Sequence, residues 1–439
     1  MDLLDLPPEI FQYIVHNFVS TVGIRRAWNV REVCRTFAVE IQYDVLHSQP
    51  LGEDDIPQWS WSTSVRPLPT RYVASIVRYR LNKPLNASPE FLDKLRQMIQ
   101  FLRDESDVYP QDSPEYLNVL CESLAQRSCT QQLAAALTCK YTALRHRCED
   151  HEDCSDILKD GPLPTHLKII AAVVIKDSKL VLALLPKLLQ TDEWRCEIFG
   201  SPLCLAVEHK DTKTVHTILH WLESIYGPDA AAPGYLLGEK QKLEILSAID
   251  RAFVANNLKV LQTLLSFYAH RFGPSGRYTY NGWLCKAYGL ANTGYLEAVL
   301  AVAKRGREVI SREGLVNMTR YAESSHINIL VSTKALDIDR DFYKATPLTA
   351  AVRSGSLDKI RAILDAGADI NSGWFPYSAM GVAFRTKQKQ EHKVRIVRLL
   401  LERGAMLPAT DQWPKAGERG TSQIRALLEA EQKKRKEEI

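Results

Sequence analysis

The chain has 439 residues, 45% of them hydrophobic and 25% charged, and its formal net charge is +4. These are ordinary globular values with room for about two or three domains, and they exclude a protein that coats nucleic acid through an overall basic footprint. No apolar run approaches the ~18 residues that a membrane helix needs, and nine unpatterned cysteines argue for reduced thiols in the cytosol or nucleus.

The first 48 residues read as one short helical unit. Asp2, Asp5, Pro7 and Pro8 are wrong for a secretory leader. Leu6-Pro7-Pro8-Glu9-Ile10 opens a helix with proline near its start, and Ile10, Ile14 and Phe18 fall on one stripe at spacing four. A second helical run carries Ile24, Trp28 and Val30, and a third follows Val33-Cys34-Arg35-Thr36-Phe37 as far as Ile41. Over about residues 3–45 this pattern resembles an F-box. The resemblance implies that Leu6, Pro7, Ile10 and Ile14 form a partner-binding face for a Skp-type adaptor of cullin ubiquitin ligases.

Residues 49–160 open as a loop with Pro50, Pro57, Pro67, Pro69, Trp59 and Trp61. Ser88-Pro89-Glu90 and Ser113-Pro114-Glu115 then each supply a cap, a first-turn proline and a first-turn acid. Phe91, Leu95, Met98, Ile99 and Leu102 form the apolar face of the first of these helices. This stretch reads as a helical connector running into a solenoid.

A repeated pattern covers about residues 165–430. It is plainest at 346–371. Thr346 can cap a helix and Pro347 fits its first turn. Ala350 and Ala351 are small enough for close helix approach, Gly355 permits a tight turn, and Ile360, Ile363 and Leu364 form the inner face of a second helix that Gly367 ends. This stretch resembles an ankyrin repeat, with Thr349 where the family usually has His. Weaker copies start near Ile170, Ser201, Ser247, Lys286, Asn317 and Ser378, the last running to 405 with an insertion at Lys387 to Lys393. Ile424, Leu427 and Leu428 mark a capping helix. The expected fold is therefore all-α: a three-helix F-box-like unit (1–48), a connector (49–160), an ankyrin-repeat array of about six to seven irregular repeats (165–430) and a basic tail (431–439).

Candidate chemistry is sparse. There is no phosphate loop, no HExxH pair and no nucleophile elbow; Gly273-Pro274-Ser275-Gly276 is one residue short. His146, Cys148, His151 and Cys154, with Cys139 upstream, are soft ligands but lack a paired CxxC. They read as surface and amphipathic-helix side chains, and the acidic run Glu53-Asp54-Asp55 as a solvated turn. No catalytic, cofactor or metal site is expected. Asn86-Ala87-Ser88 and Asn317-Met318-Thr319 fit the glycosylation triplet and are expected to stay bare. Lys433, Lys434, Arg435 and Lys436 read either as a nuclear import signal or as cations complementing the end of the capping helix.

The expected function is a monomeric, non-catalytic interaction adaptor, with protein partners and without direct nucleic-acid or membrane binding. The layout resembles fungal ankyrin-repeat proteins with an F-box-like start. That resemblance implies a nuclear transcription coregulator, some relatives being linked to secondary-metabolite gene clusters. The alternative is a substrate receptor of a cullin-RING ubiquitin ligase; nucleus and cytoplasm are both open. Two aromatic stretches are expected at loop tips that hold the partner: Arg277, Tyr278, Tyr280 and Trp283, and Trp374, Phe375 and Tyr377. The other reading is that these rings pack beneath the tips, which would move the site to the concave helix face near Arg353.

Overall fold

The computed structural model describes residues 3–50, 70–83, 85, 87–126, 133, 136–137, 161–188, 196, 198–226, 235–273, 275–302, 310, 312–342, 345–415 and 421–437. Among them every regular element is a helix, apart from one isolated antiparallel bridge between Cys196 and Gly200. The chain divides into two compact units, Met1–Ala255 and Asn256–Ile439. The expected loop with Trp59 and Trp61, the acidic run at Glu53, the Cys139 to Cys154 cluster and the Asn86 acceptor lie outside the described residues.

The first unit opens with helices α1 (Pro8–Val22), α2 (Ile24–Val30) and α3 (Arg35–His47). Proline supplies the first turn of α1, and the Cys34 side chain caps α3 by accepting from the Phe37 amide. The stripe picked out by spacing four is not the one α1 buries. Phe11, Val15 and Val19 face inward, with Phe11 and Phe18 closing on Phe37 of α3 at 6.1 and 5.9 Å. Ile10 and Ile14 point outward, 49% and 36% exposed.

Helices α4 (Thr70–Asn82), α5 (Pro89–Glu105) and α6 (Glu115–Gln126) follow. Ser88 caps α5 as the sequence implies. Helix α2 is tied to α4 by the ring contact of Trp28 with Tyr72, and α3 by that of His47 with Tyr79, both 4.3 Å or less, and by a buried polar cluster. In that cluster His16 and Gln49 bond to the Asp44 carboxylate at 2.8 and 2.7 Å, and Arg80 donates to the Gln49 carbonyl at 2.7 Å. Arg80 is fully buried, and desolvation lowers its pKa to about 10.

Helix pairs then begin: α7 (Thr165–Val174) with α8 (Ser178–Leu188), and α9 (Pro202–Glu208) with α10 (Thr212–Tyr226), followed by α11 (Tyr235–Val254). First helices α7, α9 and α11 pack on one another in turn, as do second helices α8 and α10, while α5 and α6 pack on α7. The two layers of a stacked repeat follow from this pairing.

The second unit continues the pattern with α12 (Leu258–Phe272), α13 (Arg277–Tyr288), α14 (Gly294–Ala301), α15 (Arg312–Tyr321), α16 (Ser324–Ser332), α17 (Pro347–Ser354), α18 (Leu357–Asp365), α19 (Ala379–Arg385), α20 (Gln390–Glu402) and α21 (Thr421–Glu437). First helices α13, α15, α17 and α19 form one layer; α12 against α14, and α16 against α18, form the other. The Thr346 hydroxyl accepts from the Thr349 amide, and the Thr349 hydroxyl accepts from the Thr346 amide at 2.8 Å, a reciprocal cap. Thr349 thus spends its hydroxyl locally. Gly355 adopts φ +84°, the left-handed turn expected of it.

Two boundaries differ from expectation. The insertion at Lys387 to Lys393 is half helical, because α20 starts at Gln390 and uses these residues to reach back to the preceding repeat. The basic tail is not a tail: α21 runs on to Glu437, with Ile424 and Leu428 buried, so Lys433 to Lys436 lie on its last turns.

Candidate protein-interaction surface

Successive fingers between helix pairs are joined edge to edge. The Asp339 carboxylate accepts from the Asp369 amide at 2.8 Å, and the Asn371 side chain accepts from the Met406 amide at 2.7 Å. Each bond satisfies a loop amide that no helix can pair. The Asn371 bond sets Met406, 69% exposed, against the 371–378 finger that carries Trp374, 61% exposed.

That finger is built from its own rings. Trp374 meets Tyr377 edge-on at 4.9 Å, and Phe375 tilts against Phe384 at 6.3 Å. Arg385 lies over the Tyr377 ring at 5.6 Å and donates to the Pro376 carbonyl. The finger presses so closely on α19 that a Cβ on Gly381 would stand 2.8 Å from the Pro376 carbonyl oxygen. Phe375 and Tyr377 are half-buried supports, and Trp374 is the ring that faces solvent.

The first aromatic stretch requires a correction. Residues 277–283 are not a loop tip but the opening turns of α13. Gly276 only precedes the helix, and the rings alternate between its two sides. Trp283 and Tyr280 are buried, Trp283 edge-on to Tyr268 at 5.5 Å, whereas Tyr278 is 87% exposed. Two of the four residues named there are therefore core. Burial pushes the Tyr280 and Tyr288 phenols well above their ordinary pKa, and among the described residues neither hydroxyl has a hydrogen-bond partner.

At the N-terminal face, Ile10, Tyr13 and Ile14 stand together on the outer side of α1, at spacings three and four. Pro7 is exposed and Leu6 half-buried just before them. In the C-terminal run, Lys433 reaches Glu437 at 3.8 Å, while Arg435 pairs with Glu431 at 2.8 Å and donates to the Ala405 carbonyl at 3.0 Å. Arg435 thus anchors the last helix, leaving Lys433 and Lys436 exposed.

The ties between neighbouring repeats were not legible in the sequence. His326 donates from Nε2 to the Leu290 carbonyl at 3.1 Å while its Nδ1 accepts from the Glu323 amide at 3.1 Å. Lys359 Nζ donates to the Thr319 carbonyl at 2.6 Å, Gln388 to the Ser354 carbonyl at 3.2 Å, and His392 bonds to the Gly355 carbonyl. Each donor satisfies a carbonyl at the C-terminal end of the preceding first helix, where helical partners run out. The donors lie 34 to 40 residues from their acceptors, too far apart for any local pattern. Among the described cysteines, Cys34, Cys121 and Cys285 are free thiols. No described helix is long and apolar enough to cross a membrane.

The fold and surface define an all-α helical-repeat protein in which helix pairs stack and fingers project between them. Among solved structures the chain is similar to the ankyrin repeat domain of Bcl-3, titled a unique member of the IkappaB protein family: 19% identity over 47% of this chain and 88% of that one, with a TM-score of 0.35. No protein-family profile and no curated protein matches the sequence.

Proposed function

We propose that this chain is a protein-binding adaptor whose repeat array holds its partner, and that it serves as a nuclear coregulator binding transcription factors. The observation that carries the adaptor reading is the exposure of Trp374 and Met406 on neighbouring fingers that the Asn371 bond joins. Large exposed apolar side chains on a braced finger have reason to seek a partner. The coregulator reading adds the sequence resemblance and the exposed cations of α21. Affinity capture from native extract tests it. Wild-type chain should retain transcription factors and Trp374→Ala should lose them; capture unaffected by Trp374→Ala moves the site elsewhere. Neutralising Lys433, Lys434 and Lys436, with the anchoring Arg435 kept, should shift a tagged chain to the cytosol. An unchanged distribution removes the import role.

The second reading is a ubiquitin-ligase receptor. The exposed Ile10, Tyr13 and Ile14 on α1 favour it, since they offer an apolar face to solvent. Pro7→Ala with Ile10→Ala should then abolish capture of a Skp-type adaptor. If wild-type chain captures none, this reading falls.

A further inference from the structure

Three stacked first helices of the second unit carry one arginine each at the same place. Arg320, Arg353 and Arg385 lie in the last turns of α15, α17 and α19, spaced 33 and 32 residues apart. All three are exposed, and among the described residues none has a carboxylate partner, whereas Arg361, Arg403 and Arg435 of the same unit are paired. Arg353 is the freest. Arg320 lies over its neighbour Tyr321 and Arg385 braces the 371–378 finger. Among the described side chains of these helices the one acid is Glu313, on the first turn of α15, and Val316 lies exposed between it and Arg320.

We propose that this arginine stripe binds an acidic, partly apolar segment of a protein partner, in extended form, with a carboxylate at every third residue. The proposal rests on the adaptor reading and names the partner's chemistry. Packed helices stand about 10 Å apart, so the three arginine positions repeat at about that interval. A chain in the left-handed polyproline-II form rises about 3.1 Å per residue with three residues per turn, which brings every third side chain onto one side at about the same interval. A like-charged segment is already extended before it binds, and arginine offers carboxylates a forked donor. The same cations complement the C-terminal poles of their helices, so stability and binding must be read separately.

The test uses the full chain and a labelled peptide of four Glu-Ser-Leu repeats, followed by fluorescence anisotropy at low salt. Its comparison is a peptide of equal composition with the glutamates bunched at one end. The spaced peptide should bind at least about tenfold more tightly, and more weakly as salt screens the pairs. Arg353→Glu should cost about tenfold with the melting temperature nearly unchanged; if it fails to fold, the pair Arg320→Gln and Arg353→Gln replaces it. Arg395→Glu and Arg398→Glu, on the exposed side of α20, should change nothing. Equal affinity for the two peptides overturns the proposal, as does equal sensitivity to the α20 reversals or tighter binding of a single-stranded oligonucleotide. A partner from extract that is lost on Trp374→Ala but kept by both arginine variants would sink the acidic segment and leave the adaptor standing.

Discussion

Lys176, Lys210 and Asn256 hold the left-handed backbone that Gly355 holds in the plainest repeat, at φ 61, 55 and 51°. After each of the two lysines comes a residue whose amide closes on the helix five positions back: Asp177 on Ala172 and Asp211 on Ala206. Asp177, Asp211 and Asn257 then cap the next helix by accepting from Leu180, Thr214 and Val260 amides. The dipeptides Lys-Asp and Asn-Asn therefore do the work of Gly-Ser, which a search for glycine overlooks. Left-handed backbone costs a side-chain-bearing residue roughly 1–2 kcal/mol, and glycine's added chain entropy returns roughly 0.5–1 of it. Lys210→Gly should thus raise the unfolding free energy by roughly 0.5–1 kcal/mol in urea titration, and Lys210→Val should lower it. The buried phenol of Tyr288 gives a pH signature. Its pKa is raised in the folded chain, chiefly by desolvation, so above about pH 10 the unfolded chain releases a proton that the folded chain keeps. The phenol's contribution is whole below that pH and is lost as pH rises further. Tyr288→Phe should flatten the alkaline fall in melting temperature relative to wild type; parallel curves would mean that the hydroxyl finds a partner in solution.

Helix faces decide which aromatic residues are scaffold. Trp283 lies in the core of α13 beside Tyr268, so Trp283→Ala should cost about 3–5 kcal/mol. Trp374 stands in solvent on its finger, and Trp374→Ala should stay within about 0.5 kcal/mol of wild type. Urea titration of the two variants checks the contrast directly. In the same way Phe11→Ala should destabilise α1 by about 3–5 kcal/mol while Ile10→Ala barely changes it. The sequence shows that both stretches are aromatic or apolar. It does not show which side of each helix meets a neighbour, since Ile10-Ile14-Phe18 and Phe11-Val15-Val19 are equally good stripes on paper. Gly381→Ala should be worse than an ordinary helix substitution because its new methyl group would meet the Pro376 backbone. A loss of about 1–3 kcal/mol is expected, together with weaker partner capture as the finger shifts.

Within each unit the helix pairs hold together through neighbours, so stability passes from repeat to repeat. In the second unit α21 packs on α20 with Ile424 and Leu428 buried, and Arg435 ties it to the Ala405 carbonyl. Ending the chain at residue 415 should uncover that packed face. A lower melting temperature and concentration-dependent association in light scattering are the expected outcomes; an unchanged monomer would show that α21 is not a cap. What the sequence determined by itself is the local grammar. Ser88, Ser201, Thr346 and Ser378 start helices, Gly355 and Gly367 turn or end them, and the apolar spacing after each marks a second helix, so an all-α repeat fold was legible from short-range chemistry. The tertiary structure decided the rest: that residues 277–283 are helix, that Arg435 is an anchor, that His326, Lys359 and His392 cap carbonyls in the preceding repeat, and that three arginines fall into line. Those outcomes depend on contacts between residues some thirty positions apart, whose partners are chosen by the way the helix layers stack.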